Sequence, residues 1–273
     1  MYITLFINCK EKKKGESMKK PFTTAERTFN LKFLLAGNSG SGKTHLCGTY
    51  TNGPVHFYML DKGGEKTLEK LIDKRSKTAP TLSVDILSDS SVSFSDFWLK
   101  LQQDEKDGFF DYMAANNGII ILDSATAANK KAITEICTKC NITPSGIGKK
   151  LDNKKGMSMP HWGQLLQWMQ TLIGTMQELP CATATTVHIH TLMDKDQAVV
   201  ARYPSVNGQF RQLLAVDFDE AYLLETRGDK HLIHFKERLK FEAKSRVFSV
   251  KEVRDFNMNM LAEAYLNSDT LIK

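Results

Sequence analysis

The sequence has no apolar run near the roughly 20 residues that a membrane-spanning helix requires, which argues against an integral membrane protein. The opening Met1-Tyr2-Ile3-Thr4-Leu5-Phe6-Ile7 is apolar but short. It has no basic segment before it, and it runs into Lys10-Glu11-Lys12-Lys13-Lys14 without a small-residue cleavage site, so a secretory signal is not expected either. Five cysteines, an odd number scattered from Cys9 to Cys181, give no disulfide framework and fit a reducing compartment, the cytoplasm. Cys137-Thr138-Lys139-Cys140 has the spacing of half a zinc site, but no second pair follows at ligand distance, so two ordinary thiols are expected. No internal repeat is present. Excess charge is limited too, at +6 with a pI near 8.9, so its distribution says more than its total. Lysine and arginine gather at 10–20, at Lys149-Lys150 with Lys154-Lys155, from Lys195 to Arg211 and from Lys236 to Arg246. The first group reads as solvated surface.

What is present is a chain of 273 residues with 41% hydrophobic content, enough for one large α/β domain with extensions. Its most informative segment is Gly37-Asn38-Ser39-Gly40-Ser41-Gly42-Lys43-Thr44, which matches G-x-x-x-x-G-K-[ST] in full. A buried strand is expected before it (31–36) and a helix after it (44–50). The glycines let backbone N–H groups converge on a polyphosphate at a helix N-terminus. Lys43 is expected on the β- and γ-phosphates and Thr44 on Mg²⁺. The cofactors expected are ATP and Mg²⁺.

Further strands are expected at 55–60, 82–87 and 118–123. The last, Gly118-Ile119-Ile120-Ile121-Leu122-Asp123, reads as a central parallel strand that delivers Asp123 to the ligand-binding edge of the sheet as the Walker B carboxylate. Helices are expected at 65–75, 93–106, 126–140 and 161–178. Residues 141–160 form a long polar stretch without periodicity. A Thr-rich strand at 181–189 ends in His188-Ile189-His190, a second irregular stretch covers 193–212, and strands at 220–225, 231–236 and 240–248 precede a C-terminal helix. Lys14-Gly15-Glu16 before Met18 is what a purine-rich ribosome-binding site gives when translated in frame. A native start at Met18 is therefore expected, with residues 1–17 outside the natural protein.

In this order of parts the chain resembles the RecA-like ATPase core, most closely the phage-encoded AAA-type nucleotide-binding proteins related to RecA-like single-strand annealing recombinases. The resemblance runs from about residue 30 to residue 248. Beyond the two nucleotide motifs it rests on Trp162-Gly163-Gln164-Leu165-Leu166, Glu178-Leu179-Pro180-Cys181, Phe218-Asp219-Glu220-Ala221-Tyr222-Leu223-Leu224-Glu225-Thr226 and Phe241-Glu242-Ala243-Lys244-Ser245-Arg246. It implies a mostly parallel central sheet flanked by helices, with antiparallel strands at the C-terminal end. It divides the chain into an extension (1–29), an ATPase core (30–250) and a C-terminal helix (251–273).

The resemblance also implies roles. His188 falls at the γ-phosphate sensor, where RecA has an amide side chain. Residues 141–160 fall at the first DNA loop, with Lys149, Lys150, Lys154 and Lys155, and 193–212 at the second, with Lys195, Arg202 and Arg211. Lys244 and Arg246 fall where a basic pair reaches the nucleotide of a neighbouring subunit, implying a ring or filament of copies. The implied partners are single-stranded DNA, further copies of the chain and a single-strand-binding protein, with no membrane. The water-activating glutamate has no counterpart at its usual spacing, because Gly63 stands two residues after Asp61; Glu65 is the substitute. A helicase or helicase-loader motor and a nucleotide-operated interaction switch are the competing readings. A small-molecule kinase is disfavoured by the lack of an Arg-rich lid.

Overall fold

The computed structural model describes residues 29–74, 79–144, 150–151, 154–228, 230–254 and 256–266. The N-terminal extension before residue 29, Lys149 and the chain after residue 266 lie outside the described residues. In chain order the elements are β1 (Lys32–Gly37), α1 (Lys43–Gly48), β2 (Val55–Met59), α2 (Glu65–Lys74), β3 (Leu82–Ile86), α3 (Phe94–Lys106), α4 (Phe109–Ala115), β4 (Ile119–Asp123), α5 (Ala125–Cys140), β5 (Lys150–Leu151), β6 (Lys154–Lys155), α6 (Met159–Glu178), β7 (Ala182–Met193), β8 (Val199–Pro204), α7 (Phe210–Leu213), β9 (Glu220–Arg227), β10 (Lys230–His234), β11 (Glu252–Arg254) and α8 (Met258–Leu266).

Strands β1, β2 and β4 are buried along their whole length, because each carries apolar residues on both faces. Their alternation sorts them into two cores. Leu34, Ala36, Ile120 and Leu122 join Phe94, Phe97 and the apolar faces of α5 and α6 on one side of the sheet. Phe33, Leu35, Ile119 and Ile121 join α1, α2 and α8 on the other. Local chemistry sets the helix starts. Ser93 and Asp96 close a capping box on α3, and the Ser124 hydroxyl accepts the Ala127 N–H at the start of α5, each satisfying donors the helix leaves open. Lys32 fastens the end of α6 to the foot of β1, its ammonium donating to the carbonyls of Leu179 and Cys181 at 2.7 and 2.5 Å. Burial pushes the pKa of that lysine down to about 8.

The sheet runs β11-β10-β9-β1-β7-β4-β2-β3, with β8 paired to β7. From β9 to β3 all pairings are parallel, and β10 and β11 are added antiparallel at one edge. This is the mixed α/β architecture that the resemblance implies: a mostly parallel sheet between helices with antiparallel C-terminal strands. The C-terminal ends of β1, β2, β4 and β7 therefore open on the same edge.

Three segments differ from expectation. The stretch 193–212 is not irregular throughout, because β7 extends to Met193 and folds back antiparallel onto β8. Asp194 makes the turn, its carboxylate accepting the N–H groups of Asp196 and Ala198 at 2.9 and 2.8 Å. The polar turn residues mask the short strand that follows them. The expected strand at 240–248 is replaced by isolated bridges, Arg238 with Phe241 and Ala221 with Lys244. Leu239 and Lys240 adopt positive φ, and the apolar residues there insert into the core, Phe248 stacking on Phe235 at 4.6 Å. The third terminal strand is β11 instead. Helix α4, unforeseen, begins after Gly108 at φ 73°.

Candidate functional site

The loop after β1 curls around its own lysine. Gly42 has φ +90°, a region that favours glycine, and a side chain at Gly37 would begin 2.4 Å from Ser41 Oγ and 2.7 Å from the Leu224 carbonyl. The Lys43 ammonium, 6% exposed as a residue, donates to the carbonyls of Gly37 and Asn38 at 2.9 Å each. Burial lowers its pKa, opposed by the charges of Asp123 and Asp61. Around it opens a cleft of about 420 Å³, bordered by Ser39, Gly40, Gly42, Lys43, Thr44 and His45 on the loop side.

The neighbouring strand ends bring in the rest. Thr44 Oγ1 donates to Asp123 Oδ2 at 2.6 Å, and Thr186 on β7 donates to the other carboxylate oxygen. Burial raises the pKa of Asp123; the Thr186 and Thr44 hydrogen bonds oppose the shift, as does Lys43, and Asp61 adds to it. Backbone N–H groups of Leu60 and Asp61 donate to the Asp123 carbonyl at 2.6 and 3.0 Å, fixing the end of β2 against the end of β4. His188 Nε2 lies 3.1 Å from Asp61 Oδ2, and the His188 N–H donates to Thr126 Oγ1 at 3.0 Å. Burial pushes Asp61 upward, but hydrogen bonds from His188 and Ser124 and the nearby charges prevail and hold its carboxyl below the usual range.

A hydroxyl and a carboxylate side by side are oxygen donors of the kind Mg²⁺ takes, with substrate phosphates and waters completing its octahedron. Thr44 and Asp123 fit that ion, and the Lys43 loop fits the triphosphate. A Mg²⁺ bound there would neutralise charge on the phosphates during transfer.

The sequence-predicted residues divide. Gly37, Asn38, Ser39, Gly40, Ser41, Gly42, Lys43 and Thr44 form the loop as expected, and Asp123 and His188 border the same cleft. Glu65 does not: it starts α2 and accepts a hydrogen bond from Ser88 at 3.2 Å, while Asp61, Lys62, Gly63, Gly64 and Thr67 line the cleft from that segment. The helix begins at Glu65 and carries its side chain toward the loop after β3. Lys244 exchanges backbone hydrogen bonds with Ala221. Ala221 pairs with Leu34, three residues before Gly37, which places Lys244 and the exposed Arg246 away from their own phosphate loop. Arg246 is ion-paired with Asp219 at 3.1 Å, and the Lys244 ammonium donates to the Val216 carbonyl at 2.9 Å.

Of the loop cations, Lys195 is exposed at the β7–β8 turn. Arg202 is ion-paired with Glu225, both side chains largely buried, and Arg211 lies 5.9 Å from the centre of the Tyr203 ring. Glu225 also receives His234 at 2.6 Å and Arg238 at 3.1 Å, which commits Arg202 to the sheet edge. Lys150, Lys154 and Lys155 fall on the β5–β6 ribbon. Sequence reasoning missed Thr186 and His231, which reach the site from β7 and β10 across long stretches of chain.

Among solved structures the chain is similar to a prototypical ATPase from the type III secretion system of pathogenic bacteria, at 15% identity and a TM-score of 0.43, over 72% of this chain and 52% of that one. It is similar also to the assembled type III secretion ATPase EscN of enteropathogenic E. coli, at 13% identity and a TM-score of 0.40, over 71% of this chain and 43% of that one. The chain thus spans about half the length of these structures. No curated protein matches it by sequence. The family model described as an AAA domain matches residues 29–247, a span that takes in the phosphate loop, Asp123, His188 and the strands that hold them. With that match over most of its length, the chain belongs to the AAA domain family.

Proposed function

We propose that this chain is an ATP-hydrolysing, oligomeric protein that binds single-stranded DNA in phage recombination or replication, annealing or pairing strands. The observation that carries the DNA reading is the β5–β6 ribbon. Its register sets Lys150 opposite Lys155 and Leu151 opposite Lys154, so three lysines fall on one two-stranded ribbon. The ribbon's base is tied down: Thr143 N–H donates to the Lys155 carbonyl at 3.0 Å, and Met157 N–H donates to the Thr143 carbonyl at 3.1 Å, with Met157 fully buried. A basic ribbon anchored at its foot is suited to tracking a phosphate backbone.

Hydrolysis follows from the cleft. Lys43 and the loop amides bind and orient the β- and γ-phosphates, and Thr44 and Asp123 hold Mg²⁺. Asp61, kept ionised, accepts a hydrogen bond from the attacking water and takes the place expected of Glu65. His188 donates its Nε2 hydrogen to Asp61 in the nucleotide-free cleft and acts as the γ-phosphate sensor through that partner. Lys244 and Arg246 serve the cleft of a neighbouring copy, which makes hydrolysis depend on assembly.

Two measurements test this reading. Charge reversal of Lys149, Lys150, Lys154 and Lys155 together is expected to weaken single-strand binding in fluorescence anisotropy. It should make the log–log salt slope shallower by about 3 if each lysine meets one phosphate. Unchanged affinity and slope would remove the ribbon from the DNA interface. Mixing Lys43→Ala with Arg246→Ala protomers is expected to restore part of the turnover that each lacks alone, since some interfaces then join an intact cleft to an intact arginine. No recovery at any ratio, with co-assembly verified, would place Arg246 outside the reaction.

A further inference from the structure

One side chain at the mouth of the cleft belongs neither to the phosphate motif nor to the Mg²⁺ pair. His231, near the start of β10, borders the cleft with the loop residues. Its Nδ1 lies 3.3 Å from the Ser41 carbonyl oxygen, and a side chain at Gly42 would begin 3.2 Å from that same nitrogen. A carbonyl oxygen only accepts, so Nδ1 carries the hydrogen. In the neutral ring the second nitrogen, Nε2, is then left as an acceptor.

The strand order indicates which part of a nucleotide meets it. Asp123 ends β4, Asp61 follows β2 and His188 lies on β7 at the register of Gly37, all on one side of β1, whereas β9 and β10 lie on the other. His231 pairs with Thr226, two residues beyond Leu224, which is the partner of Gly37. It therefore sits past the loop on the flank opposite the Mg²⁺ end. A triphosphate with its γ-phosphate at Asp123 and His188 extends its nucleoside away from that end, toward His231.

Resting on the nucleotide-site reading above, we propose that His231 is a specificity residue: Nε2 accepts a hydrogen bond from a donor on the nucleoside. Two donors share this chemistry, the ribose 2′-hydroxyl and the exocyclic amine of adenine. Phosphate oxygens, which only accept, do not satisfy a neutral Nε2. The Ser41 contact holds the ring in the tautomer that makes this selection possible.

The test is calorimetric titration of the full chain with Mg-ATP, Mg-dATP and Mg-ITP, using wild type, His231→Ala and His231→Asn. dATP lacks the 2′-hydroxyl, and ITP carries a carbonyl in place of the amine. The wild type is expected to bind ATP about 5- to 10-fold more tightly than one of the two analogues, the span of one net hydrogen bond. His231→Ala should lose that factor for ATP and bind the disfavoured analogue as before. His231→Asn, which offers both a donor and an acceptor, should recover part of the preference. A preference against dATP identifies the hydroxyl, and one against ITP the amine. Equal weakening of all three nucleotides in His231→Ala, or no weakening, overturns the proposal and leaves His231 as a support of the loop. If the wild type binds none of them, the nucleotide-site reading itself fails, a result distinct from the loss of preference.

Discussion

Lys43→Ala is expected to lower ATP turnover by about 10²-fold or more while the chain remains folded. The ammonium is the one side-chain cation at the centre of the phosphate loop, held by the carbonyls of Gly37 and Asn38. Removing a preorganised donor aimed at developing negative charge typically costs about 10²–10³ in rate. The folded state does not depend on that charge, because burial already disfavours it and pulls its pKa down. Steady-state turnover and a thermal melt check the two halves of the statement. Turnover equal to that of the wild type would remove the loop from the chemistry, and a collapsed melt would make Lys43 structural.

Asp123→Asn is expected to cost turnover on the same scale, about 10²-fold or more, and to stabilise the nucleotide-free protein. Burial raises the pKa of this carboxyl, outweighing the hydrogen bonds from Thr186 and Thr44. With the folded value above the unfolded one, the native state holds the extra proton between them. Stability from this group is then present below the unfolded value and lost as pH rises through the folded value. Asparagine is neutral at every pH and escapes that loss, so the melting temperature of the variant should exceed that of the wild type by a margin that grows from acid to neutral pH. Asp61 and Glu225 are both held below the usual range and act in the opposite sense, weakening the protein as pH falls, but they are common to both chains. A variant less stable than the wild type at neutral pH without nucleotide would mean that Asp123 is held as a favourable charge.

These two residues were legible in the sequence because their context is local. A buried strand, a glycine loop and a helix start occupy one short segment around Lys43, and four apolar residues lead directly to Asp123. Core strands were legible for the same reason, since runs buried on both faces announce themselves. What the sequence concealed is set by pairing between distant segments. Asp61 and His188 meet because β2 and β7 flank β4, and no periodicity records that adjacency. Glu65 looked suitable by spacing, yet the start of α2 carries it to Ser88. Arg202 read as a loop cation until β8 folded back on β7 and set it against Glu225. His231 approaches Ser41 from 190 positions away; the two strands of its hairpin were legible, but their placement beside the phosphate loop was not.

The most direct measurement is ATP turnover by the full chain with and without single-stranded DNA at low salt, with Lys43→Ala and the quadruple lysine reversal alongside. Mg²⁺-dependent turnover that rises on adding DNA is expected. Turnover at least about 10²-fold lower is expected in Lys43→Ala, and basal turnover without the rise in the quadruple variant. Turnover indifferent to DNA would contradict the proposed role and favour a nucleotide-operated interaction switch, and directional unwinding of a duplex would make the protein a motor instead.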